Sequence, residues 1–231
     1  MAAQHSITHL SWCRLIPPVL SFVNWQLRYH STARPPVWLQ YHLKSNTVTD
    51  KARVYLAPLQ QKHIDRYIQL SGDAELIATM GWKPFGLGET DEFLQRVQAP
   101  TLPYCGDGKP TIFSIMKTPG DKAIGFVTIN GINETMAAAE IGIAIMERAY
   151  RGQGYGTEAL RLAAQYAFDE LNLSLLGLTV FLTNRRAIRA YERVGFQKKG
   201  ILKRSWLMPD GEYVDMWLME LTRDRLARPE P

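Results

Sequence analysis

The hydrophobic and polar positions of the chain form short runs that predict strands and helices from residue 54 to residue 220. Apolar residues at every second position, or in one short continuous run, indicate strands, whereas apolar residues repeating every three or four positions indicate helices. The most apolar strand covers residues 139–146, where three isoleucines point to one face and small or apolar residues to the other. Because neither face is polar, we expect this strand in the middle of a sheet.

The remaining patterns predict an α/β domain whose sheet has mixed strand directions. The other strands are predicted at 54–59, 111–116, 123–130, 175–182, 196–207 and 213–220. Helices are predicted at 63–80, 90–97, 157–171 and 185–194, and the first is interrupted at Ser71-Gly72. Asn184 is expected to begin the last helix and Gly195 to end it.

A glycine-rich turn connects the central strand to the helix at 157–171. Its glycines permit positive φ angles and a close approach of the backbone to a ligand. The start of a helix offers free N–H groups and the positive end of its dipole, so this turn suits an anion, most often a phosphate. The turn reads Arg151-Gly152-Gln153-Gly154-Tyr155-Gly156.

The spacing of the glycines distinguishes the common phosphate-binding patterns. Gly154, Gly156 and Ala159 match a loose dinucleotide pattern, G-x-G-x-x-A, but residues 175–184 contain no acidic residue to bind a ribose. A Walker loop needs Gly-Lys-Ser/Thr before its helix, which is absent here. On the pattern alone, a tight strand-to-helix turn without any ligand remains open.

Two segments resemble the GNAT superfamily of N-acetyltransferases. The pattern Arg-x-x-Gly-x-Gly at residues 151–156 resembles the loop that binds the pyrophosphate of acyl-CoA. After the fifth strand, Asn-x-x-(Ser/Ala)-x-x-x-Tyr-x-x-x-Gly-Phe resembles the ribosomal-protein and spermidine acetyltransferase branch, and the likeness covers about residues 53–221. The residues that carry this second motif are Asn184, Ala187, Tyr191, Gly195 and Phe196.

The resemblance implies a GNAT fold, in which the fourth and fifth strands of a mixed central sheet splay apart and helices flank the sheet. It also implies that acetyl-CoA is the cosubstrate and that an amine attacks its thioester directly. The cofactor-binding residues that it implies are Ile145, Met146, Glu147, Arg151, Gly152, Gln153, Gly154, Tyr155, Gly156, Thr157 and Asn184.

The resemblance further implies two catalytic residues. Tyr191 would protonate the leaving thiolate as a general acid, since a thiol has a pKa of about 8.5 and tyrosine about 10. The alternative for Tyr191 is a core aromatic residue packed at helical spacing. Glu140 opens the apolar strand, where burial would raise its pKa and make it a useful base. The alternative for Glu140 is a strand-end glutamate in solvent or in a salt bridge.

The acceptor site is expected in the loops at 81–110 and 204–213. The family often has an aromatic residue at the position of Ile143, so this part of the pocket departs from the pattern. The resemblance leaves the acceptor open between a protein N-terminus, a polyamine, an amino sugar and another small amine. Candidates for the pocket wall, each of which also fits ordinary packing, are Trp82, Phe85, Trp206 and Tyr213.

Several basic residues after the fifth strand have two interpretations. They could bind the 3′-phosphate of CoA, or they could form a solvated helix face, which is the more common role of such residues. These residues are Arg185, Arg186, Arg189, Lys198 and Lys199.

The charge of +5 comes largely from the N-terminus. Residues 1–49 contain four basic residues and no acidic one, so the remaining chain has 23 basic against 22 acidic residues and predicts no nucleic-acid surface. The positions of the two cysteines and five histidines predict no metal site. No apolar run reaches the roughly 18 residues of a membrane-spanning helix.

The composition predicts three regions: an extension at 1–49, an acetyltransferase domain at 50–223 and a polar tail at 224–231. The extension has the composition of a mitochondrial presequence, but it also fits a plain N-terminal tail. The protein is expected in the cytoplasm if the extension is such a tail, and in the mitochondrial matrix if it is a presequence. The leading hypothesis is an N-acetyltransferase. The rival hypotheses are a CoA-binding regulatory module without turnover and another nucleotide-binding α/β enzyme.

Overall fold

The structure, a computed structural model, describes residues 52–81 and 111–227, in which seven strands form one sheet. The strands are β1 Val54–Pro58, β2 Ile112–Lys117, β3 Lys122–Asn133, β4 Ala138–Ile145, β5 Leu175–Phe181, β6 Gln197–Leu207 and β7 Tyr213–Thr222. The α-helices of these ranges are α1 Gln61–Leu70, α2 Ala74–Met80, α3 Tyr155–Asp169 and α4 Arg185–Val194, and short 3-10 turns occupy Arg148–Tyr150 and Arg223–Arg225.

The sheet has the order β1-β2-β3-β4-β5-β7-β6, which confirms that β4 is its middle strand. All neighbouring strands are antiparallel except β4 and β5, so the predicted mixed sheet is also confirmed. The parallel pairing of β4 and β5 covers only Ala138–Glu140 with Leu175–Gly177. Beyond Glu140 the two strands part, and a cleft opens between them.

The helices cover the two faces of the sheet. Helices α3 and α4 pack on one face, in a core that includes Leu176, Leu178 and Met219. Helices α1 and α2 pack on the other face, against residues that include Phe126 and Met146. Helix α3 lies close to the sheet because its inner positions are small and fully buried, namely Ala159, Ala163, Ala164 and Ala167.

A buried polar network joins α1 to the sheet. The backbone N–H of Gln60 donates to Nδ1 of His63 at 3.3 Å, and Oγ of Ser114 lies 2.6 Å from the same nitrogen. The backbone N–H can donate to Nδ1 only if that nitrogen carries no proton. The serine hydroxyl must then also donate to Nδ1. Burial, assisted by the charge of Lys62, lowers the pKa of His63 to about 4.

The predicted elements differ from the structure mainly at their ends. Helix α3 begins at Tyr155, two residues before the predicted start, because Gly154 at φ 88° already acts as its N-cap. The interruption at Ser71-Gly72 does separate two helices, and the carboxylate of Asp73 caps the second by accepting from the N–H of Leu76. The extension and the helix predicted at 90–97 lie outside the described residues.

The last described residues contact the domain. They include the start of the predicted polar tail. The N–H of Ala227 donates to the carbonyl of Val194 at 2.9 Å, and Nε of Arg161 donates to the carbonyl of Ala227 at 3.0 Å. Leu226 packs against the core on the α3 face.

Candidate active site

The cleft between β4 and β5 has a volume of about 520 Å³, which lies in the range of small-molecule sites. It is bounded by both strands, the glycine turn, the start of α3 and one side of α4. Two distant segments of the sequence therefore meet at one cavity. The predicted catalytic, cofactor-binding and acceptor residues that line it are Glu140, Ile145, Arg151, Gly152, Gly154, Gly156, Thr157, Asn184, Tyr191 and Trp206.

The glycine turn presents open backbone to this cleft. Gly152 and Gly154 have φ angles of 76° and 88°, which side-chain-bearing residues rarely adopt. A Cβ atom on Gly152 would meet nothing within 4 Å. No side chain caps the first turn of α3, so the N–H groups of Tyr155, Gly156 and Thr157 remain available to an anion.

Two predicted cofactor residues of the turn, Gln153 and Tyr155, do not line the cleft. The side-chain amide of Gln153 donates to the carbonyl of Ala149. The ring of Tyr155 packs against Tyr150 and lies under the guanidinium of Arg53. Arg53 also forms a salt bridge with Glu158, its Nε donating to Oε2 of that carboxylate at 3.2 Å. The acidic residue in the first turn of α3 is therefore already paired with a cation.

Arg151 has a structural position that the sequence did not indicate. Its guanidinium is buried, donating from Nε to the carbonyl of Ile145 at 2.9 Å and from Nη2 to the carbonyl of Met146 at 2.7 Å. Its Nη1 donates to the carboxylate of Asp73 and lies 3.4 Å from that of Glu75. The arginine of the motif thus holds the end of β4 and connects it to α2.

Two more of the predicted cofactor residues, Met146 and Glu147, do not line the cleft either. The side chain of Met146 is fully buried, and both backbone N–H groups bond to the carbonyl of Ile124. The carboxylate of Glu147 pairs with Arg66 and, at 2.8 Å, with Lys122. Burial would raise the pKa of Glu147, but hydrogen bonds from Lys122 and Arg66 outweigh it and lower that pKa.

Asn184 lies at the start of α4 and lines the cleft. Its Oδ1 accepts the N–H of Ala187 at 3.1 Å, the usual N-cap interaction. The cap uses only the oxygen of the amide, so the side-chain NH₂ group remains a donor for a ligand.

Tyr191 lies on the cleft side of α4, with its ring 5.9 Å from that of Phe196. No described residue forms a hydrogen bond with its hydroxyl, although the fold leaves the side chain only partly exposed. Burial raises the pKa of the phenol to about 12. The hydroxyl therefore stays protonated at any ordinary pH and can act as a hydrogen-bond donor.

Glu140 occupies the point at which β4 and β5 separate. Glu140 is exposed, and no cation among residues 52–81 and 111–227 pairs with its carboxylate. The neighbouring residues still remove part of the hydration of this carboxylate, which raises its pKa. In the sheet it is in register with Gly177 of β5, which is in register with Glu220 of β7. Since Gly177 has no side chain, a cavity of about 260 Å³ that adjoins both glutamates opens there.

Trp206 forms one side of the cleft mouth. Its ring packs 6.3 Å from that of Phe181, and its Nε1 lies 3.4 Å from the carbonyl of Gly81. Gly81 has a φ angle of 64°, and a Cβ atom there would lie 2.3 Å from Nε1 of Trp206. A glycine at the end of α2 is thus required for this indole to reach the cleft.

The other predicted acceptor residues are not placed on the cleft. Tyr213 is half exposed and does not line it; the guanidinium of Arg204 lies over its ring at 5.1 Å. Trp82 and Phe85 lie outside the described residues.

Sequence reasoning missed two acidic residues of α2 and gave too little weight to one side of α4. No motif indicates that Asp73 and Glu75 bind arginines from the cofactor side. Arg186, Arg189 and Arg193 do have a sequence signal, because the spacing i, i+3, i+7 places them on one helix face, and all three line the cleft.

The described part of the chain shows neither a metal site nor a membrane-spanning helix. Within it, no three His, Cys, Asp or Glu side chains are grouped as a metal site would require. None of its helices combines the length and the apolar character needed to cross a membrane.

Comparison with known proteins assigns a family to this arrangement. Residues 53–197 match the family model described as an acetyltransferase (GNAT) domain. The chain is 27% identical over 176 residues to N-acetyltransferase p20 of Bacillus licheniformis, covering 76% of this chain and 96% of that protein. It is 36% identical over 99 residues to spermidine N(1)-acetyltransferase of Escherichia coli K12, covering 43% of this chain and 52% of that protein.

A solved structure shares the fold. Spermidine N-acetyltransferase from Vibrio cholerae, crystallised with CoA and spermine, superimposes with a TM-score of 0.63 at 22% sequence identity. The similarity covers 75% of this chain and 97% of that protein. At this identity the comparison supports the fold alone.

Proposed function

The chain belongs to the GNAT acetyltransferase family, and we propose that it transfers the acetyl group of acetyl-CoA directly to a primary amine, with Tyr191 beside the leaving sulfur. One observation carries this proposal: the open glycine turn, Asn184 and the unpaired hydroxyl of Tyr191 all border one cleft. When bound, acetyl-CoA supplies a thioester whose carbonyl carbon the amine attacks.

The residues present are suited to the cofactor. The free amides at the start of α3 suit its pyrophosphate, and the NH₂ group of Asn184 suits an amide carbonyl of the pantetheine arm. In antiparallel pairing, N–H groups alternate between the two edges of a strand. Because the N–H of Met146 points to β3, those of Ile143 and Ile145 point to the edge that β5 leaves unpaired, where an extended arm can add.

Arg151 supports this site without facing the phosphates. Its guanidinium fixes the carbonyls of Ile145 and Met146, so it sets the direction of the strand edge that receives the arm. We therefore assign Arg151 a positioning role and not a direct contact with the cofactor.

The role of Tyr191 follows from its raised pKa. Complete proton transfer from a phenol of pKa about 12 to a thiolate of pKa about 8.5 is uphill by about 5 kcal/mol. The hydroxyl therefore acts mainly by donating a hydrogen bond to the sulfur as negative charge develops there. It remains protonated throughout the working pH range, so it should add no descending limb to a pH–rate profile below about pH 10.

Glu140 is our candidate for the base that deprotonates the acceptor. A lysine-like amine of pKa about 10.4 is neutral at pH 7 at a cost of about 4.6 kcal/mol, and a protein α-amine of pKa about 7.8 at a cost of about 1.2. A weak carboxylate base, acting directly or through water, is adequate for a protein α-amine. Its position at the fork of β4 and β5 favours this role.

We further propose a small or peptide amine as the acceptor. The carboxylate of Glu140 is unpaired, and Glu220 borders the same cavity at Gly177. Two negative charges there favour a positively charged group on this face of the sheet. Relatives named as spermidine acetyltransferases are consistent with such an acceptor. Lys199 lies 3.7 Å from Glu220 and partly offsets its charge.

The test is acetyl transfer to a panel of amines by the wild type and by Tyr191→Phe. We expect kcat to fall about 100-fold or more, as for loss of a positioned hydrogen-bond donor to developing negative charge, with CoA affinity unchanged. Tyr213→Phe is the matched control, because that phenol lies outside the cleft. Equal rates for wild type and Tyr191→Phe on every acceptor would remove Tyr191 from the mechanism.

The rival interpretations give different results in the same experiment. CoA binding without transfer to any amine would identify a regulatory module. Stabilisation by NAD or ATP but not by CoA would identify another nucleotide-binding enzyme, since a ligand at about 100 times its Kd adds about 2.7 kcal/mol of stability.

A further inference from the structure

Three arginines of α4 form a row along the cleft, which we call the arginine row: Arg186, Arg189 and Arg193. Their spacing places them on one side of the helix, and seven residues of helix extend over about 10 Å. Arg185 belongs to the same helix but does not line the cleft. The positive charge of α4 is therefore concentrated on the side that faces the cavity.

The arginine row is not neutralised by its own helix. Nη1 of Arg186 bonds to the carboxylate of Glu75 from α2. No carboxylate in the described part of the chain lies within ion-pair distance of Arg189 or Arg193. Glu192, the acidic residue of α4, pairs instead with Lys198 at 2.8 Å. Two guanidinium groups thus face the cleft without a counter-ion among these residues.

Glu75 is shared among several cations. Besides Arg186, its carboxylate lies 3.4 Å from Nη1 of Arg151 and 4.0 Å from Nε of Arg148. The hydrogen bond from Arg186 lowers the pKa of Glu75, with further contributions from the charge of Arg186 and from Arg151. This carboxylate remains ionised at neutral pH and holds Arg186 at the cleft.

The chemistry of the cleft distinguishes two kinds of phosphate. The amides at the start of α3 are neutral donors and suit the pyrophosphate. A phosphomonoester carries a charge of about −1.5 to −2 at neutral pH and offers three oxygens. Guanidinium groups match such a group through paired N–H donors. CoA carries both, a pyrophosphate and a 3′-phosphomonoester on its ribose.

We propose that the arginine row binds the 3′-phosphate of CoA, and that Glu75 holds Arg186 until that phosphate replaces it as a partner. The inference rests on the proposed function, since it assumes CoA as the ligand. Two of the basic residues first considered for this role, Lys198 and Lys199, are paired with Glu192 and Glu220 and do not line the cleft.

The experiment compares the binding of CoA and 3′-dephospho-CoA by isothermal titration and thermal shift. We expect the wild type to prefer CoA by about tenfold, and the double variant Arg189→Gln/Arg193→Gln to reduce this preference to about twofold. Affinity for 3′-dephospho-CoA should stay the same in that variant, which also shows that it is folded. Arg185→Gln removes a positive charge from the same helix at a residue that does not line the cleft, and it should keep the wild-type preference.

A second variant tests the part assigned to Glu75. Glu75→Gln releases Arg186 and should raise affinity for CoA about threefold, with no gain for 3′-dephospho-CoA. Added salt should weaken CoA binding more than dephospho-CoA binding.

Equal affinity of the wild type for both ligands, or a preference for CoA that survives in the double variant, would overturn this inference and leave the proposed function intact. Failure of the wild type to bind either ligand would overturn both.

Discussion

Replacing Asp73 by asparagine tests whether Arg151 positions the strand or binds the cofactor. The carboxylate of Asp73 has two partners: it accepts the N–H of Leu76 at 2.9 Å as the cap of α2, and it receives Nη1 of Arg151. Asparagine can still cap the helix, so the substitution removes mainly the charge opposite the arginine.

The size of the effect follows from the burial of the pair. The side chain of Arg151 is 5% exposed and that of Asp73 is 20% exposed, so water replaces the lost interaction poorly. Hydrogen bonds to charged groups contribute about 1.5–3 kcal/mol, and Glu75 at 3.4 Å from Nη1 still provides a negative charge. We therefore expect Asp73→Asn to lower the free energy of unfolding by about 1–3 kcal/mol.

The pH dependence of this effect has a defined sign. The hydrogen bond from Arg151 lowers the pKa of Asp73 in the folded state. The stability contributed by the carboxylate is then present above the pKa of the unfolded chain and is lost as pH falls through the folded-state pKa. The difference between the wild type and Asp73→Asn should thus be largest at neutral pH and should diminish in acid.

The assay combines urea unfolding with titration of CoA, and the two hypotheses give opposite signs. If Arg151 positions β4, Asp73→Asn lowers stability and leaves CoA affinity equal or weaker. If Arg151 instead binds phosphate, removal of its competing carboxylate strengthens CoA binding. Tighter CoA binding, or no loss of stability at pH 7.5, would refute the positioning role. Asp65→Asn, an exposed acidic residue of α1, is the control for loss of a negative charge.

Three further predictions concern other parts of the molecule. His63 has a pKa of about 4 in the folded state, whereas a histidine of the unfolded chain binds a proton below about pH 6.5. Between pH 7.5 and pH 5 the free energy of unfolding, measured in urea, should therefore fall by about 2 kcal/mol more for the wild type than for His63→Gln, and equal losses would contradict this. Gly81→Ala should cost about 1–2 kcal/mol of strain and also change the fluorescence of Trp206, whereas Gly131→Ala, at a similar φ of 59° with free space around it, should show the strain alone. Because burial raises the pKa of Glu140 and a base must be deprotonated, kcat/KM should rise with pH through that pKa; Glu140→Gln should lower kcat/KM at pH 7 by about 100-fold and remove this limb, and an unchanged profile would exclude Glu140 as the base.

The elements of the fold could be predicted because their signals are local. Apolar residues on both faces of 139–146 require a central strand, and β4 is the middle strand of the seven. Asn184 and Gly195 mark the ends of α4 through backbone conformations that their residue types favour. The same holds for the glycine turn, where positive φ angles at Gly152 and Gly154 leave the amides of α3 open.

The roles of individual charges could not be predicted, since they depend on residues that are distant in sequence. The motif placed Arg151 among the cofactor-binding residues, but its guanidinium bonds to the carbonyls of Ile145 and Met146 and to Asp73, 78 positions away. Glu147 was expected among the cofactor-binding residues, yet its N–H bonds to the carbonyl of Ile124 and its carboxylate pairs with Arg66 and Lys122. A charged side chain is directed by whichever partner the fold brings near it, and a sequence pattern does not contain that information.

The sequence by itself therefore determined the strands, the helices, their caps and the open amides of the turn, because periodicity and backbone conformation depend on neighbouring residues. Only the tertiary structure decided which side chains border the cleft. The parting of β4 and β5 after Glu140 brings residues 152–157 and 184–191 to one cavity, and the packing of α2 brings two acidic residues to its arginines. Those contacts arise from the burial of both sheet faces, which acts on the whole domain at once.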